Sequence, residues 1–239
     1  MNTIKINHGN ALMVAHRGCS GLELENTHAA FVAAGNRSYY GIETDVHVTL
    51  DGKFVCFHDD TTGRIAIDNM VIEETTFDTL RSLLLADKDG KKGRSDLRMP
   101  TLQEYIQICK KYEKIAVLEL KNTFIREDIV KIIDIIRGEE YLENVTFISF
   151  SLENMIILRE LLPEQSCQFL TVKFEDDLIE TLVKYHLDLD IHYKSLNAEN
   201  IAALHAHGIR VNCWTVDDPE AAAQLIADGI DYITSNILE

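Results

Sequence analysis

The chain reads as an α/β protein, a closed (β/α)8 TIM barrel, on three observations. Eight short apolar runs of β-rich composition recur, amphipathic stretches of 11 to 14 residues separate most of them, and all of it fits within 239 residues. The runs are Leu12 to His16, Gly41 to Val46, Ile115 to Leu120, Val145 to Phe150, Cys167 to Val172, Asp188 to His192, Arg210 to Thr215 and Asp231 to Thr234. Helical stretches lie near Asn26 to Arg37, Thr101 to Tyr112, Glu127 to Arg137, Leu152 to Leu162, Glu175 to Tyr185, Asn197 to His207 and Pro219 to Ala227. Strand followed by helix, repeated, makes the strands parallel with helical crossovers. No eighth helix follows the last run, so one side of the barrel is expected to be bare unless a partner subunit, as in a homo-oligomer, or the N-terminal segment packs there.

One run breaks the alternation. Lys53 to Phe57 follows the second strand across an Asp51-Gly52 pair, a strong hairpin signal. A two-residue loop there sets Leu50 opposite Lys53 and Asp45 opposite His58. From Asp59 to Met99 the chain is polar and irregular, with a charged stretch from Asp87 to Arg98 that reads as a solvated loop. A long excursion between two barrel strands suits a lid or specificity insert. The expected organisation is one barrel domain over residues 1–239, carrying an insertion at about 59–99.

Composition narrows the function classes. Apolar residues make up 46% and charged ones 26%, with 12 Gly and 3 Pro, which excludes a disordered or collagenous chain. Lys and Arg number 23 against 39 Asp and Glu, and the net charge of −16 repels nucleic acid and anionic lipid. Five widely spaced cysteines without a CxxC pair fit reduced, cytoplasmic thiols. The apolar stretch Ala11 to Ala15 is too short for a signal-peptide core, so no membrane anchor is expected.

Strand parity picks out the chemistry, because alternate side chains face the barrel interior. Glu43 and Asp45 share a face, Glu119 and Lys121 share one with Ile115 and Val117, His16 follows Leu12 and Val14, and Asn212 pairs with Trp214. All the polar ones sit near the C-terminal strand ends, where barrel active sites are built. Three inward carboxylates need positive charge beside them. An oxygen-only set suits one hard divalent cation, Mg²⁺ or Ca²⁺, held by Glu43, Asp45 and Glu119. His16 and His58 can supply a general base and a general acid, and Arg17 and Lys121 can neutralise a phosphate. For Arg17 and Lys121 the plainer reading is a structural salt bridge, in Arg17's case with Glu25. Trp214 reads both as packing at the barrel mouth and as a wall of the substrate pocket. His47 shares the face of Glu43 and Asp45 but is adequately explained by the hairpin arm, and Cys19 has no Cys-His signature around it.

In order along the chain, Ala15-His16-Arg17-Gly18, Glu25-Asn26-Thr27, Glu43-Thr44-Asp45, His58-Asp59, Pro100-Thr101-Leu102, Glu119-Leu120-Lys121 and Trp214-Thr215-Val216 resemble the glycerophosphodiester phosphodiesterase family. The resemblance implies a phosphatidylinositol-phospholipase-C-like barrel, a metal at Glu43, Asp45 and Glu119, and catalytic histidines at His16 and His58. It also implies hydrolysis of glycerophosphodiesters, small-molecule substrates, to glycerol 3-phosphate and an alcohol. Leu24 stands where the family usually has Pro, and Ser235-Asn236 where an acidic residue is common. The expected mechanism places a phosphoryl oxygen and a glycerol hydroxyl on the metal. One histidine deprotonates the nucleophile, the vicinal hydroxyl or water, and the other protonates the leaving alcohol. Two rivals stand beside it. A lysophospholipase-D-like activity needs an apolar surface at the barrel mouth, whereas a catalytically silent phosphate- or metal-binding barrel has little use for both histidines.

Overall fold

The computed structural model describes residues 2–90 and 94–239. The chain runs β1 (Leu12–Ala15), α1 (His28–Gly35), β2 (Gly41–Val48), β3 (Phe54–Cys56), α2 (Phe77–Ser82), α3 (Leu102–Lys111), β4 (Ile115–Leu120), α4 (Arg126–Gly138) and β5 (Val145–Ser149). It continues through α5 (Leu152–Leu161), β6 (Ser166–Thr171), α6 (Leu178–Tyr185), β7 (Asp188–His192), α7 (Ala198–Ala206), β8 (Val211–Trp214), α8 (Pro219–Ala227) and β9 (Tyr232–Ser235). β1, β2, β4, β5, β6, β7, β8 and β9 pair in parallel in that order, and β1 also pairs with β9, so the sheet closes on itself. This is a (β/α)8 TIM barrel. Outward side chains such as Ile42, Leu118, Phe147 and Ile191 form the main core with the helices, while Val14, Val117, Ile148 and Leu170 fill the interior.

Among the described residues no helix follows β9, and the N-terminal segment packs on the closing side. The Ile4 N–H donates to Ile237 O at 2.9 Å and the Glu239 N–H to Ile4 O at 2.8 Å, and Leu238 is buried beneath. The Glu239 carboxylate accepts from the Ser38 N–H and hydroxyl at 2.8 and 2.7 Å and from the Thr3 hydroxyl. Among the described residues no helix is long and apolar enough to cross a membrane, and all five cysteines are buried and unpaired.

The hairpin forms with a different register from the expected one. Val46 pairs with Cys56 and Val48 with Phe54, so the loop holds three residues and the partner of Asp45 is Phe57, whose N–H donates to its carbonyl at 3.0 Å. Gly52 takes a φ of +71°, the left-handed residue that such a three-residue loop requires. Asp51 is used elsewhere: its carboxylate accepts from the Thr49 hydroxyl at 2.7 Å and from the Phe77 N–H at 2.8 Å, tying the loop to α2. His58, the next residue after Phe57, still lines the cavity at the barrel mouth.

The excursion expected to be irregular has a core of its own. Val55, Phe57, Ile72, Leu80, Leu85, Leu97 and Met99 pack together with Leu24. Of the charged stretch Asp87 to Arg98, residues 91–93 lie outside the described residues; Arg94 pairs with Glu23, Asp87 and Asp96.

Candidate active site

The first βα turn sets the geometry. After β1 the chain turns through Arg17 and Gly18, with φ of +52° and +74°. A Cβ on Gly18 would sit 2.6 Å from the carbonyl carbon of Ala30, so only glycine fits. The turn aims the Arg17 backbone N–H at Glu43 Oε2, 2.7 Å away. Its guanidinium donates to Glu25 at 2.9 Å, with Nε 3.7 Å from Asp45. The salt bridge expected as the plainer reading of Arg17 is therefore present.

Glu43 and Asp45 from the middle of β2 and Glu119 near the C-terminal end of β4 come together, each no more than 6% exposed, with one oxygen from each within 4.8 Å of the others. Asn26 fixes the middle member: its Nδ2 donates to Asp45 Oδ2 at 2.8 Å, while its Oδ1 accepts from the Thr44 hydroxyl at 2.7 Å. Lys121 Nζ lies 3.0 Å from Glu119 and 3.4 Å from Asp45. Burial and the neighbouring carboxylates push Glu43 well above the usual carboxylate range, and burial together with Asp45 raises Glu119 to about 8. Asp45 is held low against burial by Lys121 and Arg17. Three buried, mutually close carboxylate oxygens fit one hard cation. The donors therefore suit a divalent ion of the Mg²⁺ or Ca²⁺ kind.

The two histidines differ in their partners. His16 Nδ1 lies 2.8 Å from Asn236 Oδ1, and that amide is oriented by Nδ2 donating to Asp217 at 2.6 Å, with the Ser20 hydroxyl donating to the same Oδ1 at 2.6 Å. Oδ1 therefore accepts the Nδ1 proton and leaves Nε2 unprotonated. Burial, with the nearby Arg17 charge, lowers the His16 pKa to about 4. His58 Nδ1 instead donates to the Asp59 carboxylate at 2.6 Å, itself braced by Arg64 Nε at 2.6 Å. Against burial, Arg64 and His58 keep Asp59 ionised, with a pKa of about 2. Burial still leaves His58 below the ordinary imidazole value.

A cavity of about 140 Å³ joins these groups. Its lining combines the polar His16, Arg17, Glu43, His58, Glu119 and Lys121 with Ile148, Phe150, Leu170, Asp190, Trp214 and Thr234. Asp45 lies just behind the lining. Trp214 is wedged edge-on between Phe150 and His192, with ring centroids 5.7 and 5.3 Å away. Every residue named from the sequence as a candidate thus falls within one site. His47 is fully buried beside it, with Nε2 3.5 Å from the His58 carbonyl, so it braces the hairpin arm rather than lining the cavity. Sequence reading did not single out Asn26, Asp59, Asp217 and Asn236, which hydrogen-bond to the site residues or to their partners, nor Asp190, which lines the cavity. Asn26, Asp59 and Asn236 stood inside or beside the quoted motifs, which was the available signal.

A family model, the Glycerophosphoryl diester phosphodiesterase family, matches residues 16–238. Among curated proteins, the glycerophosphodiester phosphodiesterase of Caldanaerobacter subterraneus subsp. tengcongensis is 27% identical, with 94% of this chain and 93% of that protein covered. Among solved structures, an Oleispira antarctica phosphodiesterase in complex with the product sn-glycerol-3-phosphate superposes with a TM-score of 0.83. It is 26% identical, with 95% and 93% of the two chains covered. The glycerophosphodiester phosphodiesterase of Thermotoga maritima gives a TM-score of 0.77 at 26% identity, with 96% of both chains covered.

Proposed function

The chain belongs to the glycerophosphoryl diester phosphodiesterase family and is a phosphodiesterase. From that premise we propose that its cavity hydrolyses glycerophosphodiesters to glycerol 3-phosphate and an alcohol, with His16 and His58 moving the protons beside one divalent cation, Mg²⁺ or Ca²⁺. The observation that carries the reading is the convergence of two imidazoles, two fixed cations and three mutually close carboxylates on one small cavity.

The charges support it. Three carboxylates face Lys121 and an Arg17 already shared with Glu25, and a divalent ion held by Glu43, Asp45 and Glu119 would add the positive charge that an anionic substrate calls for. A phosphodiester monoanion is such a substrate. Such an ion supplies positive charge at the phosphoryl group and acidifies an adjoining hydroxyl. Arg17 and Lys121 then orient the phosphoryl oxygens. His16, whose Nε2 is left free by the bond to Asn236, takes the proton of the attacking hydroxyl. His58, which burial makes a stronger acid than a free imidazolium and which Asp45 and the Asp59 hydrogen bond help to keep protonated, gives that proton to the departing alkoxide. Trp214 walls the pocket.

The small cavity favours a short polyol over a bound acyl chain. Phe150 and Val172, 42% and 50% exposed at the ends of β5 and β6, are the observation on which a lysophospholipase-D-like activity would rest. Turnover of glycerophosphocholine, glycerophosphoethanolamine, glycerophosphoglycerol, glycerophosphoinositol and a lysophospholipid, each with EDTA and with Mg²⁺ or Ca²⁺ restored, tests both readings. Metal-dependent release of glycerol 3-phosphate from the water-soluble diesters is expected. No turnover of any diester would overturn the proposal, and turnover confined to the lysophospholipid would favour the second reading. Phosphorus NMR during turnover distinguishes the routes: a transient cyclic glycerol phosphate marks attack by the vicinal hydroxyl.

A further inference from the structure

We propose that Asp190 is a specificity-determining residue whose carboxyl accepts a hydrogen bond from a hydroxyl of the glyceryl group, beside an indole N–H supplied by Trp214 to the same group. The inference rests on the hydrolase reading above. Asp190 is 1% exposed and lines the cavity, yet its Oδ1 has no hydrogen-bond partner among the described residues. Leaving a buried carboxyl oxygen unpaired is costly, and native proteins seldom do so without a reason.

The neighbours explain why nothing in the fold satisfies it. In register, Asp190 is flanked by Leu170 on β6 and Asn212 on β8. Leu170 has nothing to offer. Asn212 is engaged elsewhere, with Nδ2 donating to Gln168 Oε1 at 3.1 Å and Oδ1 accepting from the Thr234 hydroxyl at 3.2 Å. Trp214, whose Nε1 is likewise buried without an acceptor, lines the same cavity. An unfilled acceptor and an unfilled donor on adjacent strands suit a group that both gives and takes a hydrogen bond, which a hydroxyl does. Leu170 offers apolar contact for the carbon chain carrying it. In the closed order β7 stands four strands from β2, so a phosphoryl group at the carboxylate side reaches Asp190 by extending across the cavity. A short polyol has that shape.

Calorimetric titration of the full chain with sn-glycerol 3-phosphate and with propyl phosphate, which keeps the anion and lacks the hydroxyls, tests this in the presence of Mg²⁺. Wild type is expected to favour glycerol 3-phosphate by about tenfold or more. Asp190→Leu should bring the preference within about twofold while propyl phosphate binds as before. Asp190→Asn, which keeps an acceptor oxygen in the same shape, should retain the preference. Asp190→Ala is read in the same way should the leucine variant not fold. The inference is overturned if wild type shows no preference, if the Leu and Ala variants keep it, or if they weaken both ligands equally. A wild type that prefers glycerol 3-phosphate but turns over no diester sinks the hydrolase reading and leaves the hydroxyl site standing. Turnover with an unchanged preference in the variants sinks Asp190 alone.

Discussion

His16 and His58 sit on the same cavity but hold unlike partners, an oriented amide for one and a carboxylate for the other. On the proposed reading that difference makes His16 the base and His58 the acid, and the proposal has kinetic consequences. Alanine at either position is expected to lower kcat by about 100- to 10,000-fold. A p-nitrophenyl leaving group, which needs no proton, should restore much of the loss in His58→Ala and little in His16→Ala; equal rescue of both would contradict the assignment. The pH profile carries the same information. His16 must be unprotonated, and Asn236→Asp puts a carboxylate against it, so its pKa rises and the acid limb of kcat/KM should move up by about one to three units. His58 must be protonated, and Asp59→Asn removes the charge that favours that form, so the alkaline limb should move down. The carboxylates and His16 were legible in the sequence from strand parity, and His58 from the hairpin and the His58-Asp59 motif, although the hairpin register differs by one residue. Their supports were not: Asn236 reaches His16 from 220 residues away, and Asn26 meets Asp45 only after a turn that no periodicity encodes.

Among the elements, the turn after β1 is the most constrained, since it positions both Arg17 and the backbone N–H bonded to Glu43. Gly18→Ala drives a methyl into the Ala30 carbonyl and should cost about 1–3 kcal/mol in denaturant unfolding, with a parallel loss of activity. Wild-type stability in that variant would show the turn to be more pliant than its contacts imply. Strands and helices were readable from their periods of alternation, but the hairpin register was not. An Asp-Gly pair suggests a two-residue loop, whereas Asp51 is committed to Thr49 and Phe77 and the loop takes a third residue. The insertion escaped for a related reason. Its apolar residues follow neither period, and they become a core only when Val55 and Phe57 of the hairpin and Leu24 of the first loop join them. Leu80→Ala, at a fully buried position there, should destabilise the protein by about 2–5 kcal/mol, and hydrogen exchange should show the insertion opening before the barrel.

The whole molecule combines a strongly acidic chain with a site built for an anion. The barrel resolves the conflict locally: parallel pairing of β2 with β4 sets Asp45 beside Glu119 with Glu43 near both, and on the proposed reading a cation there supplies the positive charge that a phosphodiester meets. Closure itself followed from counting eight strand runs, while the cover over the bare side, Ile4 pairing with Leu238, depended on two chain ends meeting. Because burial and mutual repulsion hold Glu43 and Glu119 toward their protonated forms without an ion, binding one at neutral pH must expel protons. The decisive test is calorimetric titration of EDTA-treated protein with Mg²⁺ or Ca²⁺ in buffers of different ionisation enthalpy. One ion per chain, with about one to two protons released at pH 7, is expected, and both signals should vanish in the Glu43→Gln, Asp45→Asn, Glu119→Gln triple variant. Unchanged binding in that variant, or no binding by wild type, would contradict the account.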